Sequence, residues 1–484
     1  MEDSSRAPAW PERSRFEGVA RRRVRRSDLA AHSVAVLTPS LSALGTGLAL
    51  PSIVGPGFWI STIAGYGLAL VVAFVLGEFA QRFASGGSLY TFAAKGLGPT
   101  PALLVGVSLV LGYGVLVGAG ISGAVSRSER AWSAFGGRQI EPTDGLMAVV
   151  LTALVCLAII GAGIAWASRA AFAIEAVSIT ALLTVLGALV WRFGVPQVEA
   201  LSLAGASPAR IASGAALIAT LTVAFESSAA LGLEAGRPLR DVPRAMFGSL
   251  ALTGVLFAAA NAVGTVLPPS MAPYSFRWFA PGEQVSAPDG IVLLVLAASF
   301  LALAFCAWNA VARVIFSFAR EGIAPMALGR TTHRGVPWLA VVVVLPVVLG
   351  PPVAVWLAGG APTSVAWDLL RVATSILCVA YALTAVALIA FLARIDESRP
   401  VTTIAASVAV AGVLAVLLER LVATPAGAVS TLAWLLALGV AAVLWRLGIA
   451  RRLARRRVVL GAHEVPLATD VWVPLGTGDG RDSH

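Results

Sequence analysis

The chain has 484 residues, of which 58% are hydrophobic and 12% charged, with a mean hydropathy of +0.86. That composition excludes a water-soluble globule and leaves an all-α, polytopic membrane protein. The net charge of +10 raises the question of a nucleic-acid partner. Its densest clusters, Arg21 to Arg26 and Arg451 to Arg457, each abut a predicted span, where topology and attraction to anionic head groups account for them; no nucleic acid is expected.

A hydrocarbon core of about 30 Å needs roughly 20 apolar residues per helix, and charge-poor runs of that length recur twelve times. Residues 1–30 are polar and read as a flexible basic tail; the apolar run after them is too long and too interrupted for a cleaved signal peptide. The first span, His32 to Ile53, contains Pro39, Gly45, Gly47 and Pro51. Each glycine weakens a helix by about 1 kcal/mol relative to alanine, and each proline removes a donor. Two readings stay open: close packing through small residues, or a locally unwound segment with free N–H and C=O groups.

The second span, Gly57 to Phe79, places Glu78 at one end, where an acid commonly fixes a helix terminus or loop. Pro101 to Val125, Gly145 to Ala165 and Ala170 to Trp191 follow, with a loop at Ser128 to Thr143 and Glu175 inside the fifth span. The sixth, Ile211 to Leu233, carries Glu226 roughly 6 Å by helical rise from its midpoint. A carboxylate at that depth costs about 2.5 to 3.5 kcal/mol, so it should face the bundle interior, as a functional group or as a hydrogen-bond partner for a neighbouring helix. The stretch "EAGRPLRDVPRA", Glu234 to Ala245, reads as a fixed turn that either carries part of a gate or is simply solvated.

The remaining spans are Ala245 to Leu267, Gly290 to Phe318, Pro337 to Trp356, Val365 to Ala393, Thr402 to Leu418 and Ala428 to Leu447. A loop at Pro268 to Asp289 precedes the eighth, and residues 448–484 form a second tail, of which about the last twenty-five read as flexible. Arg313 lies one to two turns from the end of the eighth span, where it can snorkel to the interface or pair with Glu78 or Glu234. Arginine placement sets the orientation. With the N-terminus inside, only Arg127, Arg130, Arg138, Arg192, Arg210, Arg277, Arg371 and Arg420 fall outside, against 27 Lys/Arg inside. Both termini are therefore expected in the cytoplasm of a cell-membrane protein.

Cys156, Cys306 and Cys378 lie within spans without CxxC spacing and read as packing residues, and His32, His333, His463 and His484 are scattered, so neither a metal site nor a cofactor is expected. No GxxxxGK[ST] motif points to an ATPase. A lipid-modifying enzyme would need acid, histidine or metal constellations that the sequence does not display; a non-transporting receptor is the other alternative. The two interrupted spans are the first and the sixth. If spans one to five and six to ten are copies of one unit, the odd count inverts the second copy and places both breaks in corresponding positions, as in many secondary transporters.

Four blocks, in order, are similar to the amino acid-polyamine-organocation superfamily of permeases. They are Gly45-Thr46-Gly47-Leu48; "GEFAQRFASGGSLYTFAAKGLGP" (Gly77 to Pro99); Phe225-Glu226 with Glu234, Pro238 and Val242-Pro243-Arg244-Ala245; and "NAVARVIFSFAREGIAP" (Asn309 to Pro325). The resemblance implies a five-plus-five inverted repeat over residues 31–393 (31–191 and 209–393), with broken helices 1 and 6, and two peripheral helices at 400–447. It also implies alternating-access transport of amino acids or related small amines. By the same resemblance the amides of Gly45, Thr46 and Gly47 hold a substrate carboxylate, carbonyls of the broken first and sixth helices receive its ammonium, with Val223, Ala224 and Phe225 as the sixth-helix segment, and Phe225 doubles as an aromatic lid. Helix-terminal N–H and C=O groups suit those roles. Two departures stand out. Ala224 occupies the position of a helix-breaking glycine, so less unwinding, or a smaller pocket, is expected than in typical members. The fifth-helix lysine of some members is missing, the only lysine being Lys95. Proton coupling would then fall to a carboxylate, Glu226 first and Glu175 second, with Glu78 and Arg313 as gating residues.

Overall fold

The computed structural model describes residues 16, 18–19, 24–138, 140–268, 286–423, 425–454 and 460–463. The expectations for Arg21 to Arg23, for Arg277 and most of its loop, for Arg455 to Arg457 and for the end of the chain at His484 lie outside the described residues. Among the described residues twelve helical segments are long and apolar enough to cross a membrane, and each overlaps a predicted span. The third is longer than its apolar run: it covers Pro99–Ala134 and so absorbs the start of the loop expected at Ser128.

In chain order the helices are α1 (Arg26–Leu37), α2 (Pro39–Leu41), α3 (Leu50–Val54), α4 (Phe58–Ala80), α5 (Leu89–Leu97), α6 (Pro99–Ala134), α7 (Pro142–Gly161), α8 (Ile164–Phe193) and α9 (Pro208–Leu221). They continue as α10 (Pro238–Gly264), α11 (Ala287–Glu321), α12 (Trp338–Val342), α13 (Leu345–Leu357), α14 (Ala366–Arg394), α15 (Pro400–Ala423) and α16 (Pro425–Ala454). Among the described residues the only β pairing is a single bridge between Val24 and Ala235.

The most buried spans are the first and the sixth, which are broken at mid-bundle, and the unbroken third. The apolar windows of the first, third and sixth are 89%, 83% and 83% buried, while that of the twelfth is 11% buried. Lipid offers no partner to a free N–H or C=O, so the long irregular stretches of the first and sixth spans sit inside protein, while the ninth span, only 28% buried, is interrupted by no more than a short turn between Val342 and Leu345. The third span, α6, packs against α11 and α14.

The tails touch the bundle at the points where they are described. The Val24 N–H donates to the Glu234 carbonyl (2.9 Å) and the Gly236 N–H to that of Val24 (3.1 Å). Phe16 packs with Leu233, Phe316 and Ala462. The boundary of the N-terminal tail also shifts: α1 begins at Arg26, where the Arg25 N–H donates to Asp28 Oδ2 (3.1 Å) and closes its first turn.

Candidate functional site

Both suspect spans are broken. In the first, α1 ends at Thr38, whose backbone is left-handed at φ 42°. Pro39 explains the position, because its ring disfavours the right-handed helical region for the residue before it. After α2 the chain forms a π-helical turn over Ser42–Gly47, with the Leu48 N–H reaching the Ala43 carbonyl (2.9 Å). The irregular backbone thus contains the predicted Gly45, Thr46 and Gly47 but starts seven residues earlier. Gly47 lies against α10: a Cβ there would come 3.0 Å from the Ala260 side chain.

In the sixth span α9 stops at Leu221, and a short turn leads into a 3₁₀ helix at Phe225–Leu231. Ala224 sits at φ 65°, ψ 11°, the left-handed region that alanine normally avoids. The expectation that alanine here would limit unwinding is therefore corrected: its helix propensity is overridden by tertiary contacts. The Ala224 N–H donates to the Tyr381 hydroxyl (2.8 Å), which donates onward to Glu226 Oε2 (2.6 Å). Tyr113 donates to the other oxygen, Oε1 (2.7 Å). Glu226 is completely buried, and both its oxygens accept a phenol, a donor set suited to an ionised carboxylate.

The two breaks face one another. Thr38, Ser42 and Thr46 from the first span, and Thr220, Leu221 and Val223 from the sixth, line one cavity of about 20 Å³, walled by Leu116, Phe300 and Trp367. A second, of about 30 Å³, lies between Val223, Phe225 and Tyr381. Each has room for about a single water, so this conformation is closed around its centre. Phe225 is buried and its ring lies 6.0 Å from that of Tyr381.

The other predicted residues fall in separate places. Glu175 on α8 accepts from the Ser299 hydroxyl (2.7 Å), and its second oxygen is buried without a hydrogen-bond partner. Arg313 is offered two acids by the sequence, and the fold selects one. Its Nε donates to Glu234 Oε1 (2.5 Å) and its Nη2 to Oε2 (3.4 Å), while Nη1 donates to Asn309 Oδ1 (2.9 Å). Glu78 instead binds Arg82 (2.8 Å), which bridges to Glu397 (2.8 Å). Sequence reasoning missed Tyr113 and Tyr381. The available signal was a phenol deep in an apolar span, since a buried tyrosine hydroxyl needs a partner. Among the described residues, no three His, Cys, Asp or Glu side chains gather as a metal site.

Twelve spans, with the first and the sixth broken where they meet at mid-bundle, form the architecture of a secondary transporter. The profile of the family described as "Amino acid permease" matches residues 30–443, and the chain belongs to that family, within the amino acid-polyamine-organocation superfamily. It is a permease and not an enzyme. One relative is the branched-chain amino acid permease BcaP of Lactococcus lactis subsp. cremoris (strain MG1363), 31% identical over 131 residues. That match spans 26% of this chain and 28% of the relative. Among solved structures, a nucleobase-cation-symport-1 family transporter, closed with bromovinylhydantoin bound, is similar with a TM-score of 0.51 at 16% identity, over 85% of this chain and 94% of its own. A variant of the Eremococcus coleocola manganese transporter is similar with a TM-score of 0.51 at 14% identity, over 88% of this chain and 94% of its own. These likenesses establish the fold.

Proposed function

We propose that this permease moves amino acids or related small amines across the cell membrane by alternating access, coupled to protons as a symporter or exchanger, with both termini in the cytoplasm. The observation that supports this most is the shared cavity: irregular backbone from two spans converges on it, one strand of it from each half of the proposed inverted repeat. In an opened state the amides of Gly45, Thr46 and Gly47 hold the carboxylate, and the carbonyls of Val223, Ala224 and Phe225 receive the ammonium. The name of the lactococcal relative makes leucine, isoleucine and valine the first solutes to test.

For coupling, Glu226 is the primary residue. Protonating it removes the acceptor for one phenol, and the Tyr381 phenol also holds the Ala224 amide; a proton there therefore acts directly on the helix break. A second reading places the proton on Glu175, favoured by its unpartnered oxygen. Uptake of labelled branched-chain amino acids into proteoliposomes, with and without an imposed pH gradient, tests both. Glu226→Gln should transport without responding to the gradient. A retained response in Glu226→Gln, lost instead in Glu175→Gln, transfers the role, and no uptake of any amino acid or amine by the wild type removes the reading.

A further inference from the structure

At the end of the bundle opposite Arg313 and Glu234, the ends of the first, sixth, tenth, eleventh and twelfth spans enclose an open-mouthed cavity of about 570 Å³. It shares no lining residue with the cavity at the helix breaks. Its walls carry five charged side chains: Arg210 from α9, Asp368 and Arg371 from α14, and Glu419 and Arg420 from α15.

Their charges are poorly compensated. Among the described residues neither Arg210, Arg371 nor Asp368 forms an ion pair, and the buried Nε of Arg371 has no acceptor. The Arg420 side chain is only 10% exposed, and Nη1 lies 3.8 Å from Glu419 Oε2. Its Nη2 donates to the Ala216 carbonyl (3.2 Å) and to the Thr220 hydroxyl, in the last turns of α9, yet its Nε also lacks an acceptor. Glu419 Oε2 is buried and accepts no hydrogen bond. The side chains that line the hollow therefore include two arginines and a glutamate, each with one buried polar atom left unsatisfied, and charged groups left in that condition are expensive. The planar forks of Arg371 and Arg420 suit an oxyanion, and Glu419, with Asp368 at the rim, suits an ammonium.

We propose that this hollow is a second binding site that takes a zwitterion, its oxyanion between Arg371 and Arg420 and its ammonium toward Glu419 and Asp368. Two sources carry that chemistry: a dissolved amino acid, and the head group of an ethanolamine phospholipid, which the position between core and peripheral helices also admits. The site is independent of what the central breaks transport.

Three probes test it on the full-length, delipidated protein in a neutral maltoside detergent: glycine and phosphoethanolamine by calorimetric titration, and dioctanoyl phosphatidylethanolamine by native mass spectrometry. Saturable binding of one molecule per chain is expected for at least one probe, weakened tenfold or more by Arg371→Gln. Glycine binding identifies a dissolved solute, and phosphoethanolamine with its lipid, but not glycine, identifies a head group; either supports the site. If Arg371→Gln fails to fold, Asp368→Asn at the exposed rim replaces it and is expected to weaken binding severalfold. Absence of binding by all three probes, or binding that the folded variant leaves unchanged, overturns the proposal.

Discussion

The hydroxyl of Tyr381 accepts the backbone N–H of Ala224 at 2.8 Å while donating to Glu226 at 2.6 Å, so that one phenol from the tenth span holds both the break in the sixth and its buried acid. Tyr381→Phe removes both bonds and leaves a buried amide without an acceptor. Tyr113→Phe removes only one donor to Glu226. An unsatisfied buried group costs about 1 to 3 kcal/mol, so Tyr381→Phe should be the more destabilising of the two by roughly 1 kcal/mol and should lose more uptake. Unfolding in detergent and proteoliposome uptake of the paired variants check this; equal losses would mean that the Ala224 bond contributes nothing.

Ala224 supplies a second test, because its left-handed backbone costs alanine about 1 to 2 kcal/mol that glycine does not incur. Part of that relief is offset by the greater freedom of glycine in the unfolded chain. Ala224→Gly is therefore expected to be neutral or stabilising by up to about 1 kcal/mol. Ala251→Gly, at an exposed position inside α10, should destabilise by about 1 kcal/mol. The two sites differ in backbone conformation and in burial, Ala224 being wholly buried and Ala251 exposed, so that stabilisation at Ala224 despite its lost core methyl is the outcome that singles out the backbone, and thermal unfolding of both side by side reads it.

Much of this architecture was legible in the sequence, for identifiable reasons. Spans are set by the one-dimensional requirement for apolar length, and all twelve could be read without knowing their neighbours. Proline and glycine in an apolar run marked the interrupted spans. The first break includes Gly45 and Gly47 but begins earlier than they indicate, because Pro39 restricts Thr38 and ends the helix there. What stayed hidden depends on how each helix is rotated. Arg313 could not be assigned to Glu234 rather than Glu78, and Tyr113 and Tyr381 could not be directed at Glu226, because sequence spacing says nothing about which faces of distant helices meet. The unwinding at Ala224 was illegible for a related reason, its support coming from a phenol 157 residues away.

The Arg313–Glu234 pair joins the eighth span to the end of the sixth with both side chains almost wholly buried, at 3% and 2% exposed. Removing one partner strands a charge in low dielectric, which costs about 3 to 5 kcal/mol, whereas replacing both with apolar residues of similar volume is often far milder. Arg313→Met and Glu234→Leu should each be severely destabilising, and the double variant should be more stable than either. Unfolding of the three variants measures the coupling. If the pair also gates access to the centre, the double variant should fold yet leak, taking up solute without a gradient, which proteoliposome uptake detects.

His463 gives a prediction about pH that lies outside the membrane. Its ring packs edge-on against Phe83 at 5.0 Å, beside a docked segment in which the Gly461 and Ala462 N–H groups donate to the Glu321 carboxylate at 3.1 and 2.7 Å. Burial first, and the positive charge of Lys95 second, hold the His463 imidazole below its ordinary pKa. The docked tail therefore binds a proton less readily than the free tail does, and docking is favoured wherever both forms are neutral. Its strength should be constant above the ordinary histidine value of about 6.5 and fall as pH drops below it. Hydrogen exchange at Gly461 and Ala462, corrected for the intrinsic pH dependence, should show protection at pH about 7.5 that declines toward pH about 5.5. His463→Phe keeps the ring contact without the titration and should remain protected across that range; a decline as steep as in the wild type would assign the effect to Glu321 instead.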